Sequence, residues 1–147
     1  MRRAPLIAVA LVAFVAVAWV LARFLTVESH ERTDVLRVLE AQARGDSEAM
    51  LDRLAPSCRE NTRCRDDVVA LAKRMRRPGE PKIIAYQSKT AYALGSETGL
   101  TRVAWTIVNR QLPVVQCVLV RRSGTALAGR RVSLLRVSAP IGNESEC

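Results

Sequence analysis

The N-terminal region constrains the fold most, because the 19 residues from Ala4 to Ala22 carry no charged side chain. A helix of this length spans roughly 28 Å at about 1.5 Å per residue, close to the thickness of the hydrocarbon core of a bilayer. Pro5 falls in the first turn, where a proline costs little, and Trp19 falls near the far end, where interfacial aromatic residues are common. The sequence therefore predicts a transmembrane helix over residues 4–22, in contact with the lipid bilayer.

The charges that flank this apolar stretch predict its orientation. Arg2 and Arg3 precede it, and positively charged flanks stay in the cytoplasm. We therefore expect a single-pass protein of the cell membrane, with a cytoplasmic N-terminus and an extracytoplasmic C-terminal domain. The alternative is a cleaved secretory signal, because Ala16-Val17-Ala18 resembles a small-x-small cleavage site. The apolar stretch continues beyond that site, which favours the uncleaved anchor.

The cysteines point to an oxidising compartment. All four of them lie outside the apolar stretch, and an even number in a small exported domain favours disulfides: Cys58, Cys64, Cys117 and Cys147. The short separation favours a Cys58–Cys64 bond, which would leave Cys117 to pair with Cys147, and Cys64–Cys117 is the alternative. Zinc is the weaker hypothesis, because the gap between Cys58 and Cys64 exceeds the usual ligand spacing. We predict no metal site and no cofactor.

Hydrophobic spacing predicts helices first and strands afterwards. Apolar residues recur at helical spacing over 27–44, after Asp46 as far as Pro56, and from about Asn61 to the break at Pro78-Gly79. From Lys82 the apolar period changes to two, and further strands are predicted over 100–109, 114–121 and 130–138, with a loop over 95–99. This order of elements is that of an α+β domain. The expected organisation is a membrane anchor over 1–25, an extracytoplasmic domain over 26–138 and a tail over 139–147.

Three helices, with Gly45-Asp46 between the first two, followed by about four long strands resemble the nuclear-transport-factor-2-like (cystatin-like) superfamily. The resemblance covers residues 27 to about 138 and is nearest to small membrane-anchored envelope proteins of Gram-positive and actinobacterial cells. It implies about three helices packed on a curved antiparallel sheet of about four strands. It also implies a cone-shaped pocket that relatives use for ligand binding, dimerisation or, in some cases, acid–base catalysis.

The phase of the strands suggests side chains that would line such a pocket: Tyr86, Trp105, Ile107 and Val118. Candidate acids and bases exist, but each has a simpler structural role. Asp66 and Asp67 fall in the first turn of a helix, where the dipole favours negative charge, and the only histidine, His30, lies near the apolar stretch. Tyr86 and Tyr92 share a predicted strand face, where tyrosines are more often core or interface rings than catalytic acids, and Glu97 lies on a predicted loop with no partner nearby. No catalytic residues are therefore predicted.

Basic residues dominate the charge balance, with 23 Lys and Arg against 14 Asp and Glu and a formal net charge of +9. Four arginines bracket the connection between the last two strands and are candidates for contacts with an anionic lipid or envelope polymer: Arg121, Arg122, Arg130 and Arg131. Nucleic acid is not an expected partner, because export separates the domain from it and the basic segments lack interleaved stacking aromatics.

Taken together, these observations predict a membrane-anchored extracytoplasmic binding or accessory module for a partner protein or a small apolar ligand. The alternative is a membrane-tethered enzyme of the same fold that uses a carboxylate or a tyrosine in its pocket.

Overall fold

The computed structural model describes residues 3–88, 96–108, 112–124, 131–142 and 147. Four helices come first, and they are α1 (Arg3–Arg44), α2 (Ser47–Arg53), α3 (Pro56–Glu60) and α4 (Thr62–Arg74). Four strands follow, and they are β1 (Pro81–Ser88), β2 (Glu97–Ile107), β3 (Val114–Ser123) and β4 (Arg131–Val137). The described strands form one antiparallel sheet in the order β1-β2-β3-β4, so the domain is α+β.

The predicted transmembrane helix over residues 4–22 is wrong. Among the described residues, no helix combines the length and the apolar character that crossing a membrane requires. Helix α1 continues unbroken to Arg44, across the predicted anchor boundary at residue 25. The large apolar side chains of its first half are exposed, Phe14 by 73%.

The second half of α1 packs against the sheet. Its buried positions follow helical spacing and include two polar residues among the apolar ones: Glu31, Val35, Val38, Leu39 and Gln42. The helix ends at Gly45, whose φ of +77° is accessible to glycine at little cost and whose N–H donates to the Gln42 carbonyl at 3.0 Å.

Capping side chains fix the next helices. The Asp46 carboxylate accepts from the Ala49 N–H at 3.0 Å at the start of α2, and the Asn61 side chain accepts from the Cys64 N–H at 3.0 Å at the start of α4. Helix α3 was not predicted, because Pro56 was interpreted as the end of α2. Pro56 instead lies in the first turn of α3, where a backbone N–H would have no carbonyl partner within the helix, so a proline costs little there.

One face of the sheet points at α1 and carries the core, including Val103, Trp105 and Val118, each 1% exposed or less. Strict alternation in β1 fails because a bulge shifts the register between Ile83 and Ala85. Ile83 and Tyr86 therefore both face α1, while Ile84 is 52% exposed.

The structure contains both disulfides that the sequence favours, Cys58–Cys64 and Cys117–Cys147. The first joins α3 to α4. The second attaches the C-terminal residue to β3, and the chain between Val137 and Ile141 continues alongside that strand. The Ser138 N–H donates to the Cys117 carbonyl at 2.8 Å, and the Ile141 N–H donates to the Val115 carbonyl at 2.9 Å. Residues 138–141 thus extend the ladder of the sheet beyond β4.

Candidate functional site

The predicted pocket-lining residues form part of the core. Trp105, Ile107 and Val118 are 0%, 3% and 1% exposed on the face of the sheet that packs against α1. Tyr86 is half-buried on the same face, with its hydroxyl bonded to Glu31. These four side chains therefore share the predicted face, but they belong to the hydrophobic core or pack against it and do not line any of the three cavities described below.

A buried ion pair lies between α1 and the sheet. Glu31 is 0% exposed and Arg122 is 4% exposed, and the Arg122 Nε donates to the Glu31 Oε2 at 2.7 Å. Tyr86 and Thr101 both donate to the Glu31 Oε1, at 2.5 and 2.9 Å. Arg122 also donates from Nη2 to the Ser88 Oγ at 3.0 Å. We call Glu31, Tyr86, Ser88, Thr101 and Arg122 the Glu31 cluster.

The Glu31 cluster is closed to substrates. Both carboxylate oxygens already accept hydrogen bonds, and the side chain has no exposed surface. Burial, together with the hydrogen bond to Glu31, raises the pKa of Tyr86 far above its ordinary value of 10.0, so this phenol stays protonated at physiological pH. The Glu31 carboxylate thus connects α1 to β1 through Tyr86, to β2 through Thr101 and to β3 through Arg122.

A second buried polar group lies further along α1. The Gln116 Oε1 accepts from the Trp105 Nε1 at 2.7 Å and from the Gln42 Nε2 at 3.1 Å, and the Gln116 Nε2 donates to the Ser138 carbonyl at 2.9 Å. Within the described ranges, no buried side-chain nitrogen or oxygen lacks a hydrogen-bond partner. The interior between α1 and the sheet is therefore satisfied by its own residues.

The four arginines predicted to converge at the end of the last hairpin do not all point the same way. Arg121 and Arg131 are exposed, whereas Arg122 points inward to Glu31, because neighbouring residues of a strand face opposite sides of the sheet. Arg130 lies outside the described residues. Of the three described arginines, Arg122 thus belongs to the core, and Arg121 and Arg131 are exposed and accessible to anions.

The largest described cavity is a groove of about 710 Å³ between α4 and the sheet face that points away from α1. Its apolar lining comes from α4, β2, β3 and the chain that follows β4: Ala70, Leu71, Leu100, Cys117, Leu119, Val137, Ala139 and Ile141. Its polar lining consists of Asp67, Arg74, Arg136 and Ser138. We call this cavity the α4–sheet groove.

The Asp67–Arg136 ion pair separates this groove from a second cavity. The Arg136 Nη2 lies 2.8 Å from the Asp67 Oδ2, and both side chains are about half exposed. The second cavity, of about 480 Å³, shares Asp67, Leu119 and Arg136 with the groove and extends to the Cys58–Cys64 disulfide. A third cavity, of about 400 Å³, lies between α1 and the start of β1 and is lined in part by Arg32 and Ile83.

The other candidate acids and bases do not assemble into a site. His30 and Asp66 are exposed, Asp67 is paired with Arg136, and Tyr92 lies outside the described residues. Glu97 begins β2 opposite Arg122 in the strand register. Over the part of the chain that the structure describes, no group of three or more His, Cys, Asp or Glu side chains could hold a metal ion.

Comparison of the chain with protein-family models, with curated proteins and with solved structures gives no match. The resemblance to the nuclear-transport-factor-2-like superfamily therefore stays a prediction from the order of the elements.

Sequence reasoning missed the groove because its residues come from four separated segments. It also missed the Glu31 cluster, although a signal existed. Glu31 lies four residues before Val35 on the buried side of α1, and Arg122 shares the inward strand phase of Val118 and Val120. A charged residue on each of two apolar faces that must meet predicts a buried ion pair.

Proposed function

We propose that this chain is a binding module of an oxidising compartment outside the cytoplasm, and that a small apolar ligand or a segment of a partner protein occupies the α4–sheet groove. The observation that supports the proposal is the groove itself. Its volume of about 710 Å³ falls within the range of roughly 300–1,000 Å³ that is typical of ligand sites, and apolar side chains form most of its lining.

The compartment is inferred from the cysteines. Both pairs form disulfides, and the structure contains no free cysteine among its described residues. Disulfides persist in exported domains and are rare where cellular thiols keep cysteines reduced. Cys117, which belongs to the lining of the groove, is bonded to Cys147, so the proposed binding site includes one of these disulfides.

Binding is favoured over catalysis because of where the reactive groups lie. An enzyme of this architecture would need an accessible carboxylate or tyrosine, and Glu31 and Tyr86 are instead bonded to each other in the core. The carboxylate in the groove, Asp67, is held by Arg136 in an ion pair that solvent reaches. Both carboxylates are therefore engaged by an arginine, Glu31 by Arg122 and Asp67 by Arg136.

A photoactivatable alkyl diazirine tests the proposal on the full chain, with labelled peptides identified by mass spectrometry. Labelling is expected on peptides that contain Leu100, residues 117–119 and residues 136–141. Leu100→Gln should reduce that labelling, since this side chain forms part of the groove and is already 37% exposed, so the fold tolerates the change. Leu112→Gln is the matched control, because Leu112 is 80% exposed and does not line the groove.

Labelling confined to the exposed apolar half of α1, with the groove peptides unlabelled, would contradict the proposal. A photo-crosslinking amino acid placed at position 100, and at position 112 as the control, extends the test to partner proteins in cells. A crosslink that forms only from position 100 supports a partner segment as the occupant.

A further inference from the structure

The charge of the groove narrows the class of its ligand, and this inference rests on the proposed function. We propose that the α4–sheet groove binds an unbranched aliphatic carboxylate, with the hydrocarbon chain on the apolar lining and the carboxylate on Arg74.

Arg74 is the cation in the groove that remains available. Two arginines and one aspartate line the groove, a formal net charge of 2 − 1 = +1. Arg136 is already paired with Asp67 at 2.8 Å. Arg74 is exposed at the end of α4, and no described residue forms an ion pair or a side-chain hydrogen bond with it. A ligand with one negative charge therefore matches both the net charge and the position of the unpaired group.

The geometry of an arginine favours a carboxylate as the head group. A guanidinium presents parallel N–H donors that match the two oxygens of a carboxylate, and such charge-assisted pairs are stronger than neutral hydrogen bonds. An unpaired arginine beside an apolar surface is suited to an amphiphile whose charged end stays near solvent.

The rest of the lining favours a hydrocarbon chain over a peptide. Ser138 lies between the apolar lining residues Val137 and Ala139, and its hydrogen-bonding groups are already used. Its N–H donates to the Cys117 carbonyl, its carbonyl accepts from the Gln116 side chain, and its Oγ accepts from the Cys117 N–H. The backbone of a bound peptide would find no free hydrogen-bond partner at Ser138, and unpaired polar groups are costly to bury. A hydrocarbon chain has no such groups.

Equilibrium dialysis of radiolabelled dodecanoate and dodecan-1-ol against the full chain tests the inference. Arg74→Gln should weaken dodecanoate binding about tenfold, the effect of losing one charge-assisted pair, and should leave dodecan-1-ol binding unchanged. Arg74→Lys should give an intermediate affinity, because it keeps the charge and loses the paired donors. Lys73→Gln is the matched control, since Lys73 is the exposed neighbour on α4 and does not line the groove, and it should change neither affinity by more than about twofold.

The outcomes separate this inference from the proposed function. Equal dodecanoate affinity in the native chain and in Arg74→Gln overturns the inference. If dodecan-1-ol binds as tightly as dodecanoate and Leu100→Gln weakens the binding of both, the groove binds apolar ligands and only the inference of a carboxylate head group is wrong. If Leu100→Gln weakens neither, the proposed function fails as well. Displacement of dodecanoate by an acidic octapeptide at a lower concentration than by unlabelled dodecanoate overturns the inference in favour of a peptide ligand.

Discussion

The buried ion pair between Glu31 and Arg122 should be the most sensitive point of the fold. Glu31→Gln removes the carboxylate that accepts from the Arg122 guanidinium, which is 4% exposed. Breaking a buried pair by removing one partner costs about 3–5 kcal/mol, a large fraction of the roughly 5–15 kcal/mol by which domains are stable. Arg122→Met should cost a similar amount, because the Glu31 carboxylate then keeps only the donors of Tyr86 and Thr101.

A double-mutant cycle measures the pairwise part of this effect. The double variant Glu31→Gln/Arg122→Met contains no buried charge at this position, so it should lose about 2 kcal/mol less than the sum of the two single losses. Urea unfolding followed by far-ultraviolet circular dichroism gives the free energy of unfolding of each variant. The matched control is the exposed pair of Asp67 and Arg136, where Asp67→Asn and Arg136→Met should each cost about 1 kcal/mol or less.

Additive losses at Glu31 and Arg122, within about 0.5 kcal/mol, would refute the reasoning, because two buried charges that compensate each other cannot behave independently. A single-variant loss no larger than that of Asp67→Asn would refute it too, since burial would then have no energetic consequence.

Three further predictions concern other parts of the molecule. Because the pKa of Tyr86 is raised in the folded state, the stability that its neutral form provides is fully present below pH 10 and should be lost as the pH rises further. Alkaline titration followed at 295 nm should show one tyrosine that ionises late, and Tyr86→Phe should remove that late ionisation. The Cys117→Ser/Cys147→Ser variant should have a free energy of unfolding in urea that is lower by roughly 3.5 kcal/mol, because the disulfide closes a segment with a sequence separation of 30. A decrease under 1 kcal/mol would show that the disulfide does not constrain the unfolded chain. The exposed apolar side chains in the first half of α1 should make the full chain self-associate in sedimentation velocity, and deleting residues 1–22 should abolish that association. Self-association that persists after the deletion would place the responsible surface elsewhere.

Local pattern predicted much of the domain. Capping residues such as Asp46 and Asn61 and the change of apolar period near Lys82 each have a local physical cause, so the α+β order and the antiparallel strands could be inferred from the sequence. The favoured disulfides could be inferred for the same reason, because loop length and the number of cysteines limit the pairings.

What could not be inferred depends on contacts distant in sequence. The bulge in β1 moved Tyr86 onto the face of Ile83, which no strict alternation predicts. Strand phase alone places Arg122 on the inward face, but its partner Glu31 precedes it by 91 residues, and the sequence does not say which helix residue meets it. The groove depends on how α4 lies beside the sheet, and tertiary packing alone determines that placement.

The bulge in β1 also bears on how the sheet ends. β1 is an outer strand of the sheet, and an outer strand with free peptide groups is a template on which a foreign chain can add. The bulge between Ile83 and Ala85 interrupts the regular hydrogen-bonding pattern of this strand. The Arg32 Nη2 also lies 3.5 Å from the Ile83 carbonyl, at the same bulge. The bulge and the positive charge of Arg32 therefore disfavour the addition of a strand from another molecule at the β1 edge of the sheet, and with it the formation of larger β-sheet assemblies.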